Sequence, residues 1–306
     1  MVFGKASGFS AILDLSRLDG SKGFRLDGNA TNDFSGASVS NAGDVNGDGF
    51  DDLIVGASGA DPNGYSSGSS YIIFGRSDFG RVVGSPGAAV TYELANLDGS
   101  NGFRLDGEAL DSSGSSVSTA GDINGDGFDD VIIGASFADP NGELSGSSYV
   151  VFGKASGFNA AMNLSDLDGN NGFRLDGVSA YARLGLSVSN AGDVNGDGFD
   201  DVIVGAYGAD PNNGELSGSS YVVFGKASGF NATMNLSVLD GSNGFRLDGE
   251  AAGDMSGISV SNAGDVNGDG FDDVIVGAAG ADPNGNSSGS SYVVFGKASG
   301  FSATLE

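Results

Sequence analysis

Cysteine, histidine and tryptophan are absent from the 306-residue chain. Without cysteine there is neither a disulfide framework nor a thiol nucleophile. Without histidine there is no imidazole base, and Cys/His zinc sites go with it. Positive charge is scarce: 13 lysines and arginines face 40 aspartates and glutamates, for a formal net charge of −27. Nucleic acid and anionic membrane surfaces need a basic face, so both are excluded as partners. No run of 18 apolar residues occurs, so no membrane insertion is expected. The opening Met-Val-Phe-Gly-Lys lacks the charged-then-apolar layout of a secretory signal. That predicts either another export route or a piece of a longer protein.

What is there is glycine, 56 residues, together with 39 % hydrophobic and only 17 % charged residues. Disordered chains are more charged and less apolar than this. The length fits two ordinary domains or one large repeat architecture. Self-comparison decides for the repeat. Phe-Arg-Leu-Asp-Gly begins at Phe24, Phe103, Phe173 and Phe245. Asp-Val/Ile-Asn-Gly-Asp-Gly-Phe-Asp-Asp begins at Asp44, Asp122, Asp193 and Asp265, at intervals of 78, 71 and 72 residues. Tyr-(Ile/Val)-(Ile/Val)-Phe-Gly begins at Tyr71, Tyr149, Tyr221 and Tyr292. The first interval is longer because residues 76–90 replace a Lys-Ala-Ser-Gly-Phe linker.

Each copy reads as strands. Residues 38–42 alternate small and polar side chains, while 52–57 and 71–74 are short apolar runs bordered by Gly, Asp and Ser. Residues 24–27 place Phe24 and Leu26 on one face and Arg25 and Asp27 on the other, the latter two reading as an edge tether of little energetic weight. Four strands per copy without a long amphipathic helix predict an all-β, four-bladed β-propeller with four-stranded antiparallel blades. It spans 1–306 as one domain, with inner-strand cores at about 36–75, 114–153, 185–225 and 257–296. Residues 2–11 recur almost unchanged at 294–303, so the first copy carries an outer strand lacking inner strands and the last copy the reverse. Residues 1–28 are therefore expected to complete the last blade as an N-/C-terminal Velcro closure, which would remove an exposed sheet edge.

The Asp-rich loop carries the chemistry. Calcium takes six to eight hard oxygen ligands. In the first loop Asp44, Asn46 and Asp48 stand at positions 1, 3 and 5, Phe50 offers its carbonyl at position 7, and Asp52 closes at position 9. The equivalent sets are Asp122, Asn124, Asp126, Phe128 and Asp130, then Asp193, Asn195, Asp197, Phe199 and Asp201, then Asp265, Asn267, Asp269, Phe271 and Asp273. Position 12, where an EF-hand has glutamate, is Val55, inside a strand. Turn formation alone would explain one such loop. Four copies with the same oxygen spacing, each packing four carboxylates into nine residues, predict four bound calcium ions.

The run from Gly36 to Ala57, followed by Phe74-Gly75, resembles the FG-GAP repeat of integrin α-subunit β-propellers, and most of all the integrin-α-like repeats of bacterial surface and secreted proteins. Integrin propellers have seven blades, whereas four repeats are present here. The family's Gly-Ala-Pro turn is replaced by Gly-Ala-Ser, Gly-Ala-Tyr or Gly-Ala-Ala. The resemblance implies structural calcium, an extracellular or cell-surface location, and a protein or glycan ligand on the face opposite the calcium loops. Loops 29–36, 108–114, 178–185 and 250–257 diverge there, and Tyr181, Arg183 and Leu184 give the third the richest contact chemistry. The expected function is a calcium-stabilised, non-enzymatic binding or adhesion module acting as a monomer. The alternative is a self-assembling scaffold with a strand-swapped oligomer. A third-ranked reading, glycan hydrolysis by the Asp51–Asp52 pair, suffers because strand neighbours point to opposite faces.

Overall fold

The computed structural model describes residues 1–4, 12–79, 90–211 and 214–305. Each Asp-rich loop links the first two strands of an antiparallel sheet. In the first sheet these are β2 (Ser38–Gly43) and β3 (Asp52–Ala57), followed by β4 (Ser69–Ile73). The outer strand β6 (Gly102–Asp106) pairs with β4 from Ser69↔Asp106 to Ile73↔Gly102. The second sheet repeats this with β7 (Ser116–Gly121), β8 (Asp130–Ala135), β9 (Ser147–Val151) and β11 (Gly172–Asp176). The third uses β12 (Ser187–Gly192), β13 (Asp201–Ala206), β14 (Ser219–Val223) and β16 (Gly244–Asp248). The fourth holds β17 (Ser256–Gly264), β18 (Asp273–Ala278) and β19 (Ser290–Val294) alone.

Two expectations are corrected. The complete sheets have five strands, not four: the short linker strands β10 (Ala161–Asn163), β15 (Thr233–Asn235) and β20 (Thr304–Leu305) add in parallel outside β6, β11 and β16. Second, the closing strand β1 (Arg25–Asp27) does not pair with β19. It pairs in parallel with β5 (Thr91–Glu93), while Met1 and Phe24 exchange backbone bonds on its other edge and Val2 bridges Gly23. Met1–Phe3 thus hold the edge that β19 would need, and among the described residues the sheets do not close into a ring. The insertion at 80–89 lies outside the described residues.

The core lies between successive sheets. Ile54 and Ile72 of the first sheet pack with Val117 and Ile133 of the second, and the same layer recurs at the next two seams. Glycine in the middle strand makes this approach close. A Cβ on Gly134 would stand 1.9 Å from the Gly185 carbonyl oxygen of the next repeat, and one on Gly205 would stand 1.9 Å from that of Gly257. The outer strands are held by aromatic trios: Phe103 stacks on Phe158 with Phe74 against both, Phe173 on Phe230 with Phe152 against both, and Phe245 on Phe301 with Phe224 against both.

The Arg-x-Asp pairs also differ from expectation. In the three complete sheets Asp106, Asp176 and Asp248 are largely buried, each 2.7 Å from its arginine. Each also accepts a bond from the serine hydroxyl of Ser69, Ser147 or Ser219. Of the four Phe-Arg-Leu-Asp pairs, only Arg25–Asp27, with no third-strand serine beside it, remains an exposed tether.

Candidate functional site

Antiparallel alternation of the strands sends the Asp-rich loops to one end of the sheets and the divergent loops to the other. At the first end each Asp-rich loop is wound by its own amides. Asp44 accepts from the N–H groups of Asp48 (3.0 Å) and Gly49 (2.8 Å), Asn46 from that of Asp48 (2.9 Å), and Asp48 from that of Phe50 (2.9 Å). The other three loops repeat the set around Asp122, Asp193 and Asp265. Amide donation holds the Asp265 carboxyl below its ordinary range, the Gly270 N–H contributing most.

Asp52 sits beneath the loop as the first residue of β3. It is fully buried and accepts from Val45 N–H (3.0 Å) and Gly75 N–H (2.7 Å). Burial pushes its carboxyl up to about 7, and the charges of Asp48 and Asp44 add to the rise. Asp130 and Asp201 are pushed up to about 8, again by burial first, with positions 5 and 1 of their own loops adding. Three loops therefore bring the carboxyls at positions 1, 5 and 9 into electrostatic reach of one another. Among the described residues no three acidic side chains are gathered into a finished metal cage. The donor set fits a hard dication in kind, being oxygen only, and the loops as arranged are hydrogen-bonded turns.

The acid at position 8 has a role that the sequence reading missed. Asp129, Asp200 and Asp272 reach across to the preceding repeat and accept from the N–H of Asp44 (2.7 Å), Asp122 (2.9 Å) and Asp193 (3.0 Å). Asp51 has no such partner among the described residues. The Asp51 and Asp52 side chains are set apart: Asp52 is buried against amides and Asp51 is exposed.

At the opposite end, Tyr181 is exposed and its hydroxyl donates to the Glu143 carboxylate. The Arg183 guanidinium stands 5.2 Å from the centre of the Phe137 ring. Leu184 is corrected as a contact residue, because it is fully buried in the core between the second and third sheets. It takes the position that serine holds in the other repeats, at Ser35, Ser113 and Ser256, and fills apolar space there.

Comparison with known proteins agrees with the repeat geometry. Four segments, residues 35–73, 113–151, 184–223 and 256–294, match the FG-GAP repeat family. Integrin alpha-V from Gallus gallus is 33 % identical over 213 residues, covering 66 % of this chain and 18 % of the integrin. Integrin alpha-5 from Xenopus laevis is 30 % identical over 211 residues, covering 66 % and 18 %. Integrin alpha-4 from the same species is 31 % identical over 177 residues, covering 58 % and 15 %. The chain thus spans less than a fifth of the relatives it matches. With a strand–loop–strand core repeated four times and the family's segments falling on those cores, the chain belongs to the FG-GAP, integrin-alpha-like repeat family.

Proposed function

We propose that this chain is a calcium-stabilised, non-enzymatic binding or adhesion module that works outside the cell. The observation that carries the reading is the fourfold oxygen set: Asp44, Asn46, Asp48, the Phe50 carbonyl and Asp52, with their equivalents, wound on glycine turns with one buried carboxyl each. A buried carboxyl pushed up to about 7 or 8 gains from a cation that lets it ionise. Calcium in such a loop supplies charge neutralisation and cross-links the loop to the head of the second strand. The role is therefore structural.

Membership in a family of integrin alpha chains favours a protein ligand over a glycan. The end away from the loops, with Tyr181 and Arg183, is its expected seat. Thermal melts with calcium, with magnesium and with excess EGTA test the reading. Calcium should raise the melting temperature above the chelated value by a margin that magnesium does not match, since Mg²⁺ keeps its waters and demands near-octahedral geometry. Equal melts in all three buffers refute it. A protein-array screen at millimolar calcium then addresses the ligand, and loss of a hit in Tyr181→Ala with Arg183→Ala places it on the proposed face.

A further inference from the structure

Every internal seam between successive sheets is closed by the same contacts. The N–H of Val117, Val188 and Val260 donates to the hydroxyl of Ser38, Ser116 and Ser187, at 2.9, 3.1 and 3.0 Å. The N–H of Lys154, Lys226 and Lys297 donates to the carbonyl of Val45, Ile123 and Val194, each at 2.9 Å. The position-8 carboxylate bonds the first amide of the preceding loop, as described above. The rings of Phe128, Phe199 and Phe271 lie over Gly47, Gly125 and Gly196, within 2.4, 2.3 and 2.3 Å of where a Cβ would stand.

A fourth complete set is present, divided between the two faces of the stack. The first sheet carries one half of the set: the Val39 N–H, the Phe50 ring, the Asp51 carboxylate and the Arg76 N–H. The last sheet carries the complementary half: the Ser259 hydroxyl and Val266 carbonyl as acceptors, the Asp265 N–H as donor, and Gly268, where an added Cβ would meet nothing within 4 Å. Both halves are open. Val39 is 66 % exposed, against 5 % for Val117, and Val266 is 58 % exposed, against 1 % for Val45. Beside them β19 has no partner on its outer edge among the described residues, and Phe295 is 54 % exposed, while its counterpart Phe152 is buried.

We propose that a second copy of this chain seats head to tail on this seam, the first sheet of one copy docking on the last sheet of the other. The docked copy repeats an interface that the chain already forms three times within itself. On the outer side, β1 of the incoming copy adds to β19 in the register of the other sheets, with Val293 opposite Phe24 and Val294 opposite Gly23. Met1 and Val2 now hold those two places, so docking exchanges a short strand for a longer one. Such a heterologous contact either closes into a ring or continues as a filament. None of the seam groups is an atom assigned to calcium, so failure of this proposal leaves the proposed function untouched.

The test uses two variants of exposed residues, Val39→Glu and Val266→Glu, each placing a carboxylate in one half of the seam where docking would bury it. Light scattering is read across a concentration series at about 0.15 M salt, where screening limits repulsion between chains to about 8 Å. Wild-type mass should climb above the 30.3 kDa of one chain, while each variant alone stays at that mass. An equimolar mixture of the two should form dimers and stop there, because each pair retains one intact seam. A wild-type chain that stays monomeric throughout, as it would on closing its own ring, overturns the proposal. So does a mixture that fails to pair.

Discussion

Replacing Asp200 with alanine removes the Asp122 amide's partner and opens the link between the second and third Asp-rich loops, whereas the same change at Asp51 removes a carboxylate with no described partner. Both variants lose one negative charge from a chain at −27, so the relief of general repulsion cancels between them. The difference isolates the cross-seam bond. A hydrogen bond to a charged group contributes about 1.5–3 kcal/mol net, and an orphaned amide adds its own desolvation cost. Burial pushes the Asp200 carboxyl up by disfavouring its charged form, and that desolvation cost places the net worth of the bond in the lower part of that range. We therefore expect Asp200→Ala to cost about 2 kcal/mol more than Asp51→Ala, a gap of about 4–8 °C for a domain-sized unit. Urea unfolding of both variants in dilute solution, below the onset of self-association, gives the comparison. Equal losses would show that the position-8 aspartates do not tie the repeats together.

Two further outcomes follow from single residues. Burial, with Glu108 and Asp139 adding, pushes the Asp111 carboxyl up to about 7 against the pull of Arg174. Because that is above the ordinary value near 4, the folded chain takes up a proton there, and stability falls as pH rises from about 4 to about 7. Asp111→Asn removes the loss, so its melting temperature should exceed wild type at pH 8 and match it at pH 4; an offset independent of pH contradicts this. Gly134→Ala should be strongly destabilising, because its Cβ would meet the Gly185 carbonyl at 1.9 Å, while Gly277→Ala, whose nearest neighbour is Ser259 at 3.5 Å, should be tolerated. Similar melting temperatures for the two would mean that the seams are looser than described.

The inner strands and Asp-rich loops were legible because their signals are local. Short apolar runs, glycine turns and fourfold recurrence all lie within forty residues or so of one another in each copy. The fifth strands were not: Ala161–Asn163 is three residues long and pairs in parallel, so no alternation long enough to read marks it. The position-8 aspartates were read as crowded charge beside a metal loop. Their signal was present as an acid next to position 9 in every copy, pointing by alternation to the opposite face. What lies on that face is the preceding repeat, and only the stacking of sheets reveals it. The closure of 1–28 on the last sheet was inferred from matching ends. The likeness of residues 2–11 to 294–303 was read only as a sign of closure, although it equally lets Met1–Phe3 take β19's place on β1.

Counting calcium ions tests the central claim most directly. At extracellular-type affinities of about 10⁻⁴–10⁻³ M, each site contributes on the order of 1 kcal/mol in millimolar calcium. Native mass spectrometry, supported by titration calorimetry, should find four ions on the wild-type chain and three on Asp48→Ala, with the sheets intact in both. A wild-type chain that binds none, or an Asp48→Ala chain that still binds four, would contradict the assignment of these loops.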